Sequence, residues 1–134
     1  MDDFTYSPPD PRQLSPLALA YLGDAVYELA VRQYLLSEHG VYNKAIHQQA
    51  VELVRALRQS RLYDELDDIL DDEDKAVLRR GRNAKSGHQP PNVTVGDYRR
   101  ATGVEALIGW LYLRGEEEKL RRIFRRLYEK GSKE

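Results

Sequence analysis

LALAYLGDAVYELAVRQYLL, residues 17–36, is apolar on almost every face of a helix, yet it holds Asp24, Glu28 and Arg32. The three charges are spaced four apart, so on a helix they form one stripe. A helix that is apolar all round is normally buried. A buried carboxylate is tolerated only when a cation or hydrogen-bond donors meet it. The reading therefore turns on what meets Asp24.

A second stretch, residues 101–113 (ATGVEALIGWLYL), repeats the pattern, with Glu105 as its only charge. A lone acid has an ordinary explanation: Asp24 could be held by Arg32, Tyr27 or a backbone amide. Two lone acids in separate apolar helices point instead to a shared site. Carboxylates converging from neighbouring helices make a hard, oxygen-rich pocket that suits magnesium. For Glu28, a salt bridge to Arg32 is the simpler expectation.

The chain around these stretches reads as all-α. With 134 residues it is long enough for one domain with its own core. It has no cysteine, which excludes disulfides, zinc-thiolate sites and cysteine nucleophiles and fits a reducing cytoplasm. Residues 1–13 carry Pro8, Pro9 and Pro11 and are expected to be a flexible lead-in, too acidic for a signal peptide. The domain is expected over 14–130, with a tail at 131–134. Ser15-Pro16 has the form of a helix start, and Gly40 of a stop. Gly23 inside that helix costs about 1 kcal/mol against alanine, which a close approach of another helix would explain. Asn43 caps an expected helix over 44–58. Residues 61–70 read as a short amphipathic helix, and Asp71 or Asp72 starts another that ends near Asn83. Residues 81–94, GRNAKSGHQPPNVT, read as a loop. Thr94 with Asp97 resembles a capping box for the helix that carries Glu105, and Gly115 ends it. The last helix, 116–130, turns Leu120, Ile123, Phe124 and Leu127 inward. No run spans a membrane without a charge.

Net charge is −1, but its distribution is patchy. Residues 64–74 (DELDDILDDED) are densely acidic. From Lys75 to Gly96 there is no acid, while Lys75, Arg79, Arg80, Arg82 and Lys85 are basic. A run of arginines is often only a solvated face. Here it flows into a long polar loop with Asn83, Lys85, Ser86 and His88, a segment suited to following a phosphate backbone. The sequence holds no glycine-rich phosphate loop, no Ser/His/Asp set and no Glu-x-x-His pair. His39, His47 and His88 lack metal-ligand spacing.

Tyr21-Leu22-Gly23-Asp24-Ala25-Val26 resembles the ribonuclease III signature, and Val104-Glu105-Ala106-Leu107-Ile108-Gly109 resembles that family's second acidic motif. With the short chain and Arg80-Gly81-Arg82-Asn83-Ala84-Lys85-Ser86-Gly87, the likeness narrows to the Mini-ribonuclease III branch and covers about 14–128. The resemblance implies an all-helical, homodimeric endonuclease domain that cuts double-stranded RNA with Mg2+. Asp24 and Glu105 match the family's metal-binding catalytic acids, and Tyr21 the aromatic residue that enters the partner subunit. Two other family acids are replaced by Ala20 and Thr102. The resemblance further implies precursor 23S ribosomal RNA as substrate, presented with a ribosomal protein. Arg82, Asn83, Lys85 and Ser86 are the expected grip on the duplex, with Thr94 as a candidate phosphate ligand. The rival reading is a non-catalytic RNA-binding or ribosome-assembly module that keeps the helical fold. A purely structural helical dimer leaves the acids and the basic loop unexplained.

Overall fold

The computed structural model describes residues 7–85 and 91–133, of which 130–133 are described by backbone alone. Among the described residues there are six α-helices, a 3-10 turn at Pro11–Gln13 and no strand. The helices are α1 (Pro16–His39), α2 (Lys44–Val54), α3 (Ala56–Tyr63), α4 (Asp72–Asn83), α5 (Val95–Leu113) and α6 (Glu117–Lys133).

Helix α5 is the axis of the molecule and packs chiefly against α1, α4 and α3. From Ala101 onward its sequence has no polar face to offer, and every residue from Ala101 to Leu111 except Glu105 is buried. Glycines set its crossings. A methyl group on Gly23 of α1 would lie 1.7 Å from the Glu105 carbonyl oxygen, and one on Gly109 would lie 2.1 Å from that of Leu19. The two backbones are thus in direct contact, as expected for the glycine inside α1. On the other side Gly81 and Gly103 bring α4 close, with a methyl on Gly103 2.7 Å from the Leu78 carbonyl oxygen.

Most helix starts follow the local chemistry. Ser15, Asn43 and Thr94 each accept a backbone N–H through their side chains, and Asp71 and Asp74 form a reciprocal capping box. Gly40 and Gly115, at φ of 71° and 70°, follow α1 and α5 in the left-handed conformation.

Several expectations are corrected. Helix α1 is not buried all round. Leu19, Ala20, Gly23, Tyr27, Val31 and Leu35 face inward, while Tyr21 on the opposite face is 87% exposed. The helix expected over 44–58 breaks at Arg55, whose ψ of 146° is extended. The helix expected over 61–70 ends at Tyr63. The chain then turns, seated by buried Leu66, Ile69 and Leu70. Arg126 of α6 holds that turn, donating to Asp68 at 2.7 and 3.0 Å and to the Glu65 carbonyl. The break at Arg55 has a physical role. Arg58, Gln59 and Ser60 are polar and 3–5% exposed, so each needs a partner inside the protein. The turn at Arg55 redirects the chain so that they find them. Arg58 donates to the Leu127 carbonyl of α6 at 3.0 Å, and Ser60 to Asp97 of α5 at 2.7 Å. The expected loop also starts late, since Gly81, Arg82 and Asn83 belong to α4.

Candidate active site

Asp24 and Glu105 meet at the glycine crossing. Asp24 follows Gly23 on α1, and Glu105 lies on the turn of α5 that Gly23 touches. Their carboxyl groups are within hydrogen-bonding reach of each other. The environments differ. Asp24 is exposed, a correction to the expectation of a buried acid, whereas Glu105 is partly buried. Burial, first, and then the hydrogen bond and negative charge of Asp24 push the Glu105 carboxyl up to about 8.

The protein cations that could have neutralised the pair do not. No ion pair joins Arg32 to Asp24 or to Glu28 among the described residues, and Glu28 and Arg32 both line a groove between α1 and α2. The expected Glu28–Arg32 bridge is therefore not formed. Tyr27 is committed elsewhere, donating to the Leu53 carbonyl at 2.8 Å. Among the described residues, Gln59 of α3 hydrogen-bonds Glu105 and favours its charged form. Sequence reading missed Gln59 because it placed the residue just beyond the end of a helix. A Gln flanked by Arg and Ser in a run with apolar neighbours was the only available signal.

The two carboxylates fit a divalent cation. They are adjacent, one opens to solvent, and Glu105 retains a proton that a bound ion would displace, restoring its ionised form. No group of three or more His, Cys, Asp or Glu side chains is placed to hold a metal among the described residues. The two replaced acid positions are closed to that role. Ala20 is buried, and the Thr102 hydroxyl donates to the Tyr98 carbonyl at 3.0 Å.

The basic segment lies along the far side of α5. The backbone N of Arg82 is 3.2 Å from where a Gly103 methyl would sit, so the end of α4 rests half a turn from Glu105 along the helix. The Arg82 guanidinium lies 5.8 Å from the Tyr63 ring centroid and its Nε donates to Asn83 Oδ1 at 3.2 Å. Asn83 and Lys85 are exposed. Ser86 and His88 lie outside the described residues. Thr94 serves α5 as its cap. Its hydroxyl accepts from the Asp97 N–H at 3.1 Å and donates to the Asp97 carboxylate at 2.9 Å. Ser60, then Thr94 and Arg100, hold Asp97 below the usual carboxylate range. No described helix is long and apolar enough to cross a membrane.

Comparison with known proteins places the chain in a family. Residues 17–116 match the model of the ribonuclease III domain. A Mini-ribonuclease 3 from Clostridium tetani is 42% identical over 92% of this chain and 84% of its own length. One from a Thermoanaerobacter species is 44% identical over 82% of this chain and 78% of its own. A crystal structure of a Fusobacterium nucleatum protein superposes with a TM-score of 0.79 at 36% identity, over 88% of this chain and 94% of that one.

Proposed function

The chain belongs to the ribonuclease III family and is an endoribonuclease of that type, and from that premise we propose that Asp24 and Glu105 hold Mg2+ for hydrolysis of double-stranded RNA. The observation that carries the site is the contact between the two carboxyl groups, with no cation of the described residues against them. When bound, the ion supplies positive charge at the scissile phosphate and an acidified water. The protein's own contribution is positional. Asp24, exposed on α1, would hold the ion from the solvent side of the crossing. Glu105, partly buried and bonded by Gln59 of α3, would be its second carboxylate ligand. Hydrolysis would form a bond from a water oxygen to phosphorus and break the bond from phosphorus to the sugar oxygen, the water giving up a proton to solvent and the departing oxygen taking one up. Arg82, Asn83, Lys85 and Ser86 grip phosphates along the duplex with little base reading. Because the Thr94 hydroxyl is engaged in the cap, any phosphate contact at the start of α5 falls to the backbone N–H groups of its first turn.

Two copies of the chain would set two such sites across one duplex, each cutting one strand. The exposed Tyr21, with Leu17 and Leu29 on the same helix, supports that assembly. We place the activity in the cytoplasm, on precursor 23S ribosomal RNA presented with a ribosomal protein, as the resemblance implies. The rival reading of a non-catalytic module leans on Ala20 and Thr102, yet the remaining acid pair is left intact and uncompensated. The test is Mg2+-dependent cutting of a long RNA duplex, with EDTA as control. Asp24→Asn should abolish cleavage and leave folding and RNA binding unchanged. An active Asp24→Asn protein refutes the metal role.

A further inference from the structure

We infer that Gln59 is a positioning residue for the metal site: its side-chain amide holds the Glu105 carboxylate toward Asp24 and sets how tightly the pair binds a divalent cation. The inference rests on the reading of Asp24 and Glu105 as the metal-binding pair.

Three observations place Gln59 in this role. It is 3% exposed, so its amide is not available to solvent and its partner must be internal. That partner is Glu105. Its neighbours fix where it points. Arg58 is tied to the Leu127 carbonyl of α6, and Ser60 to Asp97, which Arg100 also holds at 3.1 Å. Three successive residues of α3 thus bond to different places on α5 and α6, so the helix cannot turn about its axis without breaking two of them. The amide is thereby delivered to Glu105 by a rigid support. While the pair shares a proton it holds itself together, but once an ion displaces that proton the two carboxylates repel. A separate donor on Glu105 keeps its carboxylate placed as the ion is received. With only two acids in the site, orientation of each one matters more than in a larger ligand set.

The test uses Mn2+ as the probe, titrated into the intact protein without RNA and followed by the paramagnetic resonance of the free ion. In Gln59→Leu, which keeps the bulk and removes the donor, Mn2+ affinity should fall about 10- to 100-fold. The cleavage rate at saturating duplex should fall with it, while KM for RNA and the affinity for RNA in EDTA stay unchanged. Gln59→Met serves as a second unbranched replacement. Gln59→Leu or Gln59→Met protein that is folded and keeps Mn2+ affinity and rate within twofold of the parent overturns the inference. A measurement on the unaltered protein guards against misfolding of both variants. Bound Mn2+ should broaden the Gln59 side-chain amide resonance, and an unaffected signal also overturns it. The controls separate this inference from the one beneath it. If Asp24→Asn binds Mn2+ as well as the parent, the metal reading itself falls. If Asp24→Asn loses the ion while Gln59→Leu retains it, only the role of Gln59 falls.

Discussion

Gly23 and Glu105 touch through their backbones: a methyl group on Gly23 would stand 1.7 Å from the Glu105 carbonyl oxygen and 2.8 Å from the Gly109 nitrogen. The same contact that closes the core therefore sets the spacing of the acids. Gly23→Ala would have to push α1 away from α5, because the obstructing atoms are backbone and cannot rotate aside. Overpacking of a core costs about 1–3 kcal/mol, and a backbone obstruction lies at or above the upper end. Urea denaturation of Gly23→Ala should show a loss of about 3 kcal/mol or more, and cleavage should fall further than stability alone explains. A variant of parental stability would mean that the crossing is looser than described.

The metal-free protein should lose stability as pH rises. Glu105 in the folded chain is pushed up to about 8 by burial and by Asp24, against an ordinary 4.5. A raised acid is bound to its proton more tightly when folded. Its contribution is fully present below about pH 4.5 and disappears as pH climbs through about 8. The expected loss is on the order of a few kcal/mol. Thermal melts in EDTA should thus fall between pH 5 and pH 8.5 beyond the trend of Asp24→Asn, where Glu105 lacks its charged neighbour. Added Mg2+ should flatten the slope, since the ion replaces the proton. Parallel melting curves with and without Mg2+ at pH 8 would count against the site.

Lys85 is exposed at the end of α4, where a side chain can follow a phosphate without breaking any internal bond. Lys85→Ala should weaken binding to duplexes of different sequence by the same factor and reduce the slope of log affinity against log salt by about 1. Arg82 is less separable, because its guanidinium also packs over Tyr63. Filter binding across a salt series decides the matter, and a slope equal to the parent's removes Lys85 from the interface.

What was legible in the sequence was what is local. Ser15, Asn43, Asp71 and Thr94 each bond to their own helix, so four starts could be read from single residues and their spacing. Glu105 was legible for a related reason, since a charge has few ways to sit in a buried apolar run, whereas Asp24 lies exposed beside it. Helix α3 was not legible. The break at Arg55 serves Arg58 and Ser60, whose partners lie 69 and 37 residues away. Nothing in the neighbouring residues announces those bonds, and Gln59 was missed with them. The outer face of α1 was misread because an apolar face states that it avoids water, not which surface covers it.

That outer face supplies the last prediction. Tyr21 is 87% exposed, beside Leu17 at 36% and Leu29 at 39%. An aromatic ring left in water on an otherwise apolar helix is a poor arrangement for a lone chain and an ordinary one for half of a dimer. Alongside it runs a groove of about 860 Å³ between α1 and α6, floored by Leu22, Val26, Phe124 and Tyr128. In a two-fold dimer the same patch faces itself, so one substitution removes two anchors. Truncating a central aromatic anchor costs about 2 kcal/mol or more, which is roughly 30-fold in affinity. Tyr21→Ala should therefore shift the sedimentation profile toward monomer at micromolar protein, while the isolated chain keeps its helical content because Tyr21 contributes little to its own core. Cleavage should become concentration-dependent, and single-strand nicks should accumulate ahead of double cuts as paired sites come apart. A Tyr21→Ala protein that sediments as the parent does, with no nicked products, would exclude this face as the dimer contact.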